Sequence, residues 1–424
     1  MNKPPKNPMK TLTIIANPEN RRVGLLQKAL ENLNLPPATV ISYADLISGK
    51  QNLEQFNSPE NIIRFDSPEK NFEVDKAIIA AGEELEGGEG EEEGEGVEGN
   101  THQKISSGDV EKLEFDKGRI LYPRQWYLGW RNLLRRWEKE LDLTPNPSPC
   151  LRRGGNELTS KSSSCLGKEG LRVMNHPCNI AVMFDKPRCH ERFSQNNIPV
   201  ARSLGKIHNY EHLREQMQSQ NLERVFIKLS HGSSASGVIA YRANSRFESA
   251  ITTVERVREN GKTLLYNSRR IRNYTKREEI ADIINILIAE GVQVEEWLPK
   301  ARLQGCGFDL RVVVINGEAQ HTVVRLGKSP MTNLHLGNER GDINEFLEKV
   351  GDSNWQKMNR TCEQAADLFP NSLYCGVDLM IFPDWEQHAV LEINAFGDLL
   401  PGVFWNGMDT YMSEIKAVMS LRTK

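Results

Sequence analysis

The sequence predicts an α+β protein in two parts, a small parallel α/β layer followed by a larger domain of antiparallel sheets and helices. Three observations carry this. Residues 11–43 run strand, helix, strand, which begins a parallel layer. From Met183 onward short apolar strands alternate with amphipathic helices and hairpin signals. Between these regions lie two stretches whose composition cannot bury a core. At 424 residues the chain is long enough for two or three domains. A net charge of -3 is no signature of a nucleic-acid binder, and no apolar run approaches the ~20 residues that span a bilayer. The seven cysteines are odd in number and form no CxxC pair, which suits reduced thiols. The polar start, Met1 to Lys6, lacks the apolar core of a signal peptide. The expectation is a soluble cytoplasmic protein with neither nucleic acid nor membrane as partner; nothing in the pattern sets its oligomeric state.

Taken in order, Thr11 to Ala16 reads as a β-branched strand. Val23, Leu26, Leu30 and Leu33 then recur with helical period, and Thr39 to Tyr43 reads as the next strand. There is no GxGxxG after the first strand, so this turn is read as structural. Residues 83–100, nearly all Glu and Gly, are expected to form a disordered acidic insert. Arg119 to Leu141 carries Trp126, Trp130, Leu133, Leu134 and Trp137 at helical spacing, a core-facing stripe. Residues 144–170, rich in Pro, Gly and Ser, read as a linker. The boundaries expected are therefore 1–143 for the first domain and 183–424 for the second.

In the second domain Asp185-Lys186 opens a helix that ends near Asn196-Asn197. Arg224 to Leu229 and Val238 to Tyr241 are strands flanking a small-residue loop, Ser230 to Gly237. Such a loop can offer backbone N–H groups to a polyphosphate or be an ordinary hairpin. Lys228 stands at the end of its apolar strand, where an anion or solvent must meet it. Glu278 to Ala289 is an amphipathic helix, Val292 to Leu298 a strand, and Asp309 to Ile315 leads into the Asn316-Gly317 hairpin signal. Arg311 and Arg325 fall near each other across that hairpin, an unfavourable pairing unless they share an anion such as a phosphoryl group.

The most informative stretch is Cys375 to Phe396, two apolar runs around Pro-Asp-Trp-Glu-Gln. With Trp385 at the midpoint of a hairpin, Asp378 lies opposite Glu392, and Asn394 shares their face. Opposed carboxylates repel, and a hard divalent cation between them would reverse that; a one-residue bulge would alter the register. Gly327-Lys328-Ser329 is no Walker A loop, because Thr322 and Pro330 stand at the wrong places. His208 and His212 have zinc-pair spacing without HExxH, and no GxSxG occurs.

Together these pieces resemble the ATP-grasp superfamily, within it the glutathione synthetase-like and ribosomal-protein glutamate ligase-like branch, over residues 183–410. Asp185-Lys186 with Ile198-Pro-Val200 is similar to the family's "DK…GIPVP", and Val225 to Val238 to its "VVVKP…G…GV". Phe308 to Val312 resembles the "DIR" strand, Thr332 to His335 the "SNLH" stretch, and Asp378, Glu392 and Asn394 "GVD…EVN". Leu229 stands where Pro is usual and Leu336 where the glutamate ligases often have Arg. The resemblance implies an α+β ATP-grasp core, two subdomains clasping ATP, preceded by a smaller α/β domain. It implies that Lys186 and Lys228 hold ATP phosphates under a flap carrying Ser233, Ser234 and Gly237. Glu295, Glu296 and Trp297 would lie at the nucleotide base, with Asp309 and Asn333 also in the ATP site. Mg²⁺ (or Mn²⁺) would sit on Asp378, Glu392 and Asn394, with Arg311 and Arg325 as catalytic groups. The implied activity is ATP-dependent, ADP-forming ligation of a small-molecule or peptide carboxylate to an amine through an acyl phosphate. A kinase on the same fold, or a nucleotide-binding module without turnover, are the alternatives.

Overall fold

The computed structural model describes residues 11–83, 104–143 and 172–421. Apart from Glu83, the expected acidic insert and the linker at 144–170 lie outside the described residues.

The first of three sheets is parallel, in the order β2-β1-β3, from β1 (Thr11–Ala16), β2 (Thr39–Ser42) and β3 (Asn61–Phe65). Helix α1 (Arg21–Asn32) joins β1 to β2 and buries Val23, Leu26 and Leu30. Tyr43, expected to end a strand, instead opens α2 (Tyr43–Ile47). The Ser42 hydroxyl accepts from the Asp45 N–H and caps a helix there. Helices α3 (Phe72–Ala80), α4 (Ser107–Val110) and α5 (Pro123–Glu140) complete the layer. The tryptophan stripe on α5 is core as expected: Trp130 and Trp137 are fully buried and pack against Tyr43, Trp137 also against Phe65. Helices α6 (Pro177–Met183) and α7 (Lys186–Gln195) lead out of this layer, with the Asp185 side chain capping α7.

The second sheet is antiparallel, in the order β7-β6-β5-β4-β8. Its strands are β4 (Arg224–Leu229), β5 (Ile239–Ala243), β6 (Glu248–Glu259), β7 (Lys262–Tyr274) and β8 (Val292–Glu296). Helices α8 (Tyr210–Ser219) and α9 (Arg277–Ala289) close over it, giving a core of its own that includes Leu213, Ile227, Tyr241, Ile284 and Val294. The long β6–β7 hairpin has no counterpart in the sequence reading.

The third sheet, also antiparallel, runs β12-β11-β10-β13-β14 with β9 beside β10. It comprises β9 (Arg302–Leu303), β10 (Cys306–Ile315), β11 (Glu318–Gly327), β12 (Glu339–Arg340), β13 (Tyr374–Ile381) and β14 (His388–Asn394). Asn316 and Gly317 both take positive φ, 52° and 79°, which a two-residue hairpin turn requires. Helices α10 (Ile343–Val350) and α11 (Asp352–Asp367) cover its apolar face. One large core runs from Ile15, Ile63 and Trp137 to Phe308, Val377 and Ile393, so the first layer and the third sheet pack as neighbours. The last helix, α12 (Thr410–Ser420), returns to α1, where Tyr411 and Ile415 meet Leu26 and Leu30.

Candidate active site

Strand alternation splits the third sheet into two faces. Leu310, Val312, Val377, Leu379 and Ile393 enter the core. Asp309, Arg311, Arg325, Asp378, Glu392 and Asn394 line a cavity of about 450 Å³ on the other side. The opposition of Asp378 to Glu392 is observed, but by a different route from the sequence argument. Near the turn, Ile381 pairs with His388 and Leu379 with Val390. Continued unbroken, that register would set Leu391 against Asp378. A bulge at Leu391 shifts it by one residue, so that Glu392 and Asn394 come onto the Asp378 face. The irregularity that threatened the arrangement therefore creates it.

The second sheet supplies the opposite wall. Lys228 on β4 and Glu295 on β8 are diagonal neighbours and form an ion pair. Lys186, the first residue of α7, reaches Glu392 at 3.0 Å and donates to the Gly232 carbonyl. The flap after β4 brings Ser233 and Ser234 to the cavity, and Ser234 and Ala235 adopt positive φ of 52° and 61°. Thr253 on β6 donates to the Ala235 carbonyl at 2.8 Å, which ties the flap to the unforeseen hairpin. Gly237 itself does not line the cavity. Its φ of 65° and the Leu229 side chain, 2.5 Å from where a Cβ would stand, require glycine where the flap meets the apolar side.

The ion pairs answer the question that the two arginines posed. They share an anion, and in the structure it is the Asp378 carboxylate. Arg311 grips it through Nε and Nη2, and Arg325 Nη2 lies 3.1 Å away. Arg325 Nε also donates to Asp309 at 2.7 Å, and Lys300 meets Asp309 from the other side at 3.0 Å. Burial would raise both aspartates, Asp378 and Asp309 each being 3 % exposed. Arg311 and Arg325 outweigh burial at Asp378, and Arg325 and Lys300 do so at Asp309, holding both carboxyls below the usual range and ionised. Behind Arg311, the backbones of Gly376 and Gly397 pass in contact; a Cβ on Gly376 would fall 2.6 Å from the Gly397 Cα.

Glu295, Glu296 and Asn333 also line the cavity, whereas Trp297 does not. Its indole packs on Phe226 with Arg224 and Arg242 over it, and the Trp297 backbone N–H donates to the Arg224 carbonyl at 3.2 Å. Trp297 lies one residue beyond the end of β8, and the next residue, Leu298, stands in the wall instead. Sequence reasoning also missed Lys300, Phe226 and the wall formed by Asn20, Arg21, Arg22 and Lys70 of the first layer. None carries a local signal except Arg21 and Arg22, cations at the start of a helix whose first turn has no acid. Among the described residues no three Asp, Glu, His or Cys side chains are arranged to hold a metal. The candidate metal set is instead two carboxylates and an amide. The Asn394 Nδ2 faces the Gly376 carbonyl at 3.5 Å, which leaves Oδ1 as the amide's donor atom.

Residues 175–379 match the family model described as YheC/D like ATP-grasp. No curated protein matches the sequence. Among solved structures, D-cycloserine synthetase DcsG is similar over 97 % of this chain and 100 % of that one, at 11 % identity and a TM-score of 0.51. The ATP-grasp ligase PsnB, complexed with a phosphomimetic variant of its minimal precursor, Mg and ADP, is 15 % identical over 99 % and 100 % of the two chains, TM-score 0.49. The macrocyclase MdnC bound with precursor peptide MdnA, from Microcystis aeruginosa MRC, is 12 % identical over 97 % and 100 %, TM-score 0.46. With that family match over residues 175–379, and antiparallel sheets facing each other across the cavity, this part of the chain is an ATP-grasp domain and the chain has an ATP-grasp fold.

Proposed function

We propose that this chain is an ATP-dependent carboxylate–amine ligase that works through an acyl phosphate, in the cytoplasm. The observation that carries the reading is the convergence of Lys186, Lys228, Arg311, Arg325, Asp378, Glu392 and Asn394 on one cavity in an ATP-grasp fold. We assign residues 183–424 as the catalytic domain and 1–143 as the domain flanking it. A carboxylate oxygen attacks the γ-phosphorus of ATP, and the bond from that phosphorus to ADP breaks. The amine nitrogen then attacks the acyl carbon, phosphate departs with the oxygen, and the nitrogen loses its proton to it. Such transfer asks the protein for positioning and charge more than for covalent chemistry.

Lys186 and Lys228 exchange their present carboxylate partners for the phosphates, with Ser233 and Ser234 of the flap above them. Glu295, Glu296 and Leu298 border the base end, Asp309 holds Arg325 in place, and Asn333 borders the far end. Arg311 and Arg325 face the transferring phosphoryl group and the acyl phosphate. The donor set fits a hard divalent ion: two carboxylates and an amide oxygen are what Mg²⁺ takes when substrate phosphates and water complete its shell. Asp378, Glu392 and Asn394 would hold Mg²⁺ or Mn²⁺, which would supply charge neutralisation for the ATP phosphates. The flap excludes water from the anhydride.

The test is ADP release from Mg·ATP in the presence of pooled carboxylates and of amino acids, peptides and polyamines as acceptors. Glu392→Gln is the cleaner metal variant, because Asp378→Asn also strips Arg311 of its carboxylate and Arg325 of one of its two. Near-wild-type ADP release from Glu392→Gln would remove it from the metal set, and no release with any pair would remove the ligase reading.

A further inference from the structure

The cavity has two differently charged regions. At its inner wall each cation already has a carboxylate: Lys186 has Glu392, Lys228 has Glu295, and Arg325 has Asp309. The wall formed by the first layer and by residues 333–340 is different. Arg21, Lys70 and Arg340 line it, all three exposed, and among the described residues none has a carboxylate within 4 Å. Among the described residues the Arg340 side chain donates only to the Pro401 carbonyl, at 2.8 Å. Among the described residues, the one acid on this wall is Glu69. Beside them, His335 is held below its usual range by burial first, then by Lys70, with Arg311 and Arg269 adding to the effect against Glu69. A surplus of positive charge thus faces the cavity from this wall.

The placement is built and not incidental. Lys70 sits in the left-handed region, with φ of 74°, where a residue other than glycine is disfavoured. The Asn17 amide pins that loop from behind, donating to the Pro68 carbonyl at 2.6 Å and the Glu69 carbonyl at 3.3 Å. Arg21 opens α1, where the helix dipole disfavours a cation.

We propose that this wall binds a second carboxylate of the substrate, so that the acid activated here is a polycarboxylate. One carboxylate is presented to Arg311 and Arg325, and another is held by Arg21, Lys70 and Arg340. This rests on the ligase reading for the first carboxylate only. A monocarboxylic acid with an uncharged tail leaves these three cations without a partner and gains nothing from them.

The test is fluorescence anisotropy of dye-labelled tetraglutamate and tetraglutamine peptides with the full chain, ADP and Mg²⁺ present. Tetraglutamate binding at least about tenfold tighter is expected. That preference should vanish in the double variant Arg21→Gln/Lys70→Gln, with its melting temperature retained. It should survive Arg258→Gln, an exposed arginine on β6. Equal affinity for the two peptides overturns the proposal, and so does a preference that outlasts the double variant. The ligase reading is judged separately by ADP release. Release that is as fast with monocarboxylic acids as with polycarboxylic ones keeps the ligase and overturns this wall. Selective binding without release from any pair keeps the wall and overturns the ligase.

Discussion

Replacing Asp378 by Asn should uncouple nucleotide binding from Mg²⁺. In the free protein Asp378 accepts from Arg311 through two nitrogens, at 3.0 Å for Nη2, and from Arg325 at 3.1 Å. An anionic ligand has to win these guanidiniums away from a carboxylate that burial keeps in place. A hydrogen bond to a charged group is worth about 1.5–3 kcal/mol net, so competition by Asp378 weakens Mg²⁺-free ADP binding by about 10- to 100-fold. If Asp378 and Glu392 hold a divalent ion as proposed, that competition would be relieved, and linkage would make the effect reciprocal. Titration calorimetry of ADP, with EDTA and then with Mg²⁺, reads both halves. Wild type should show a large Mg²⁺ enhancement. Asp378→Asn should bind ADP more tightly than wild type in EDTA, by about tenfold or more, and lose most of the enhancement. The near-isosteric amide costs stability, about 3 kcal/mol, since Arg311 loses its anion while Arg325 keeps Asp309; a thermal melt confirms that the variant is folded. An unchanged enhancement, or weaker EDTA binding in a folded variant, refutes the exchange.

Gly237→Ala should lose about 2–4 kcal/mol of unfolding free energy in urea, because φ is 65° and the new methyl would stand 2.5 Å from Leu229 Cδ1. Asp75 is pushed up to about 7 by burial against the α3–α5 contact, with the Trp126 indole donating to it at 3.0 Å. Its stabilising contribution is therefore complete below the unfolded value near 3.9 and is lost as pH rises through about 7, at most about 4 kcal/mol. Asp75→Asn should flatten the stability profile between about pH 4 and pH 8, read by Trp fluorescence on denaturation. Arg64→Met should cost about 3–5 kcal/mol at neutral pH, because Asp398 and Glu414 lose their fully buried partner. The loss should shrink in acid, where Glu414, already raised by burial, takes up a proton.

The parts of this site that could be read from residues are those set by local period and turn chemistry. The β10–β11 turn announces itself in Asn316-Gly317, and the face of β13 follows from alternation. The bulge at Leu391 could not be read, since nothing in His-Ala-Val-Leu-Glu-Ile-Asn marks which residue is extra. The β6–β7 hairpin was missed for a different reason. Its turn, Asn260-Gly261, carries the same signal, but its strands are rich in arginine and glutamate and show little apolar alternation. Partners of buried charges were beyond reach altogether. Lys228 and Glu295 are placed by strand pairing across 67 positions, and Arg64 finds Glu414 across 350. The anion shared by Arg311 and Arg325 was anticipated as a kind of group and not as a residue, because only the pairing of β10 with β13 sets Arg311 opposite Asp378.

The flanking layer is structurally part of the cavity. Arg22 of α1 donates to Asp398 at 2.6 Å and to the Phe396 carbonyl at 2.6 Å, while Arg64 of β3 reaches Asp398 at 2.6 Å. Phe396 and Asp398 lie in the turn immediately after Asn394, so the segment leaving the candidate metal set is clamped by two arginines of another layer. Arg64 also lies 4.6 Å over the Tyr374 ring and 5.3 Å over that of Tyr411, which brings β13 and α12 into the same clamp. Two cations and three carboxylates, Asp66, Asp398 and Glu414, leave a net negative charge in a buried cluster, and burial pushes the Glu414 carboxyl well above the ordinary carboxylate range. Apolar residues of like volume would serve stability as well or better. What an ion cluster adds is a single allowed position for the Phe396–Asp398 turn, fixed in direction as well as distance. The layer that carries Arg21 and Lys70 to the cavity, and the turn that follows Asn394, are thereby held in one register.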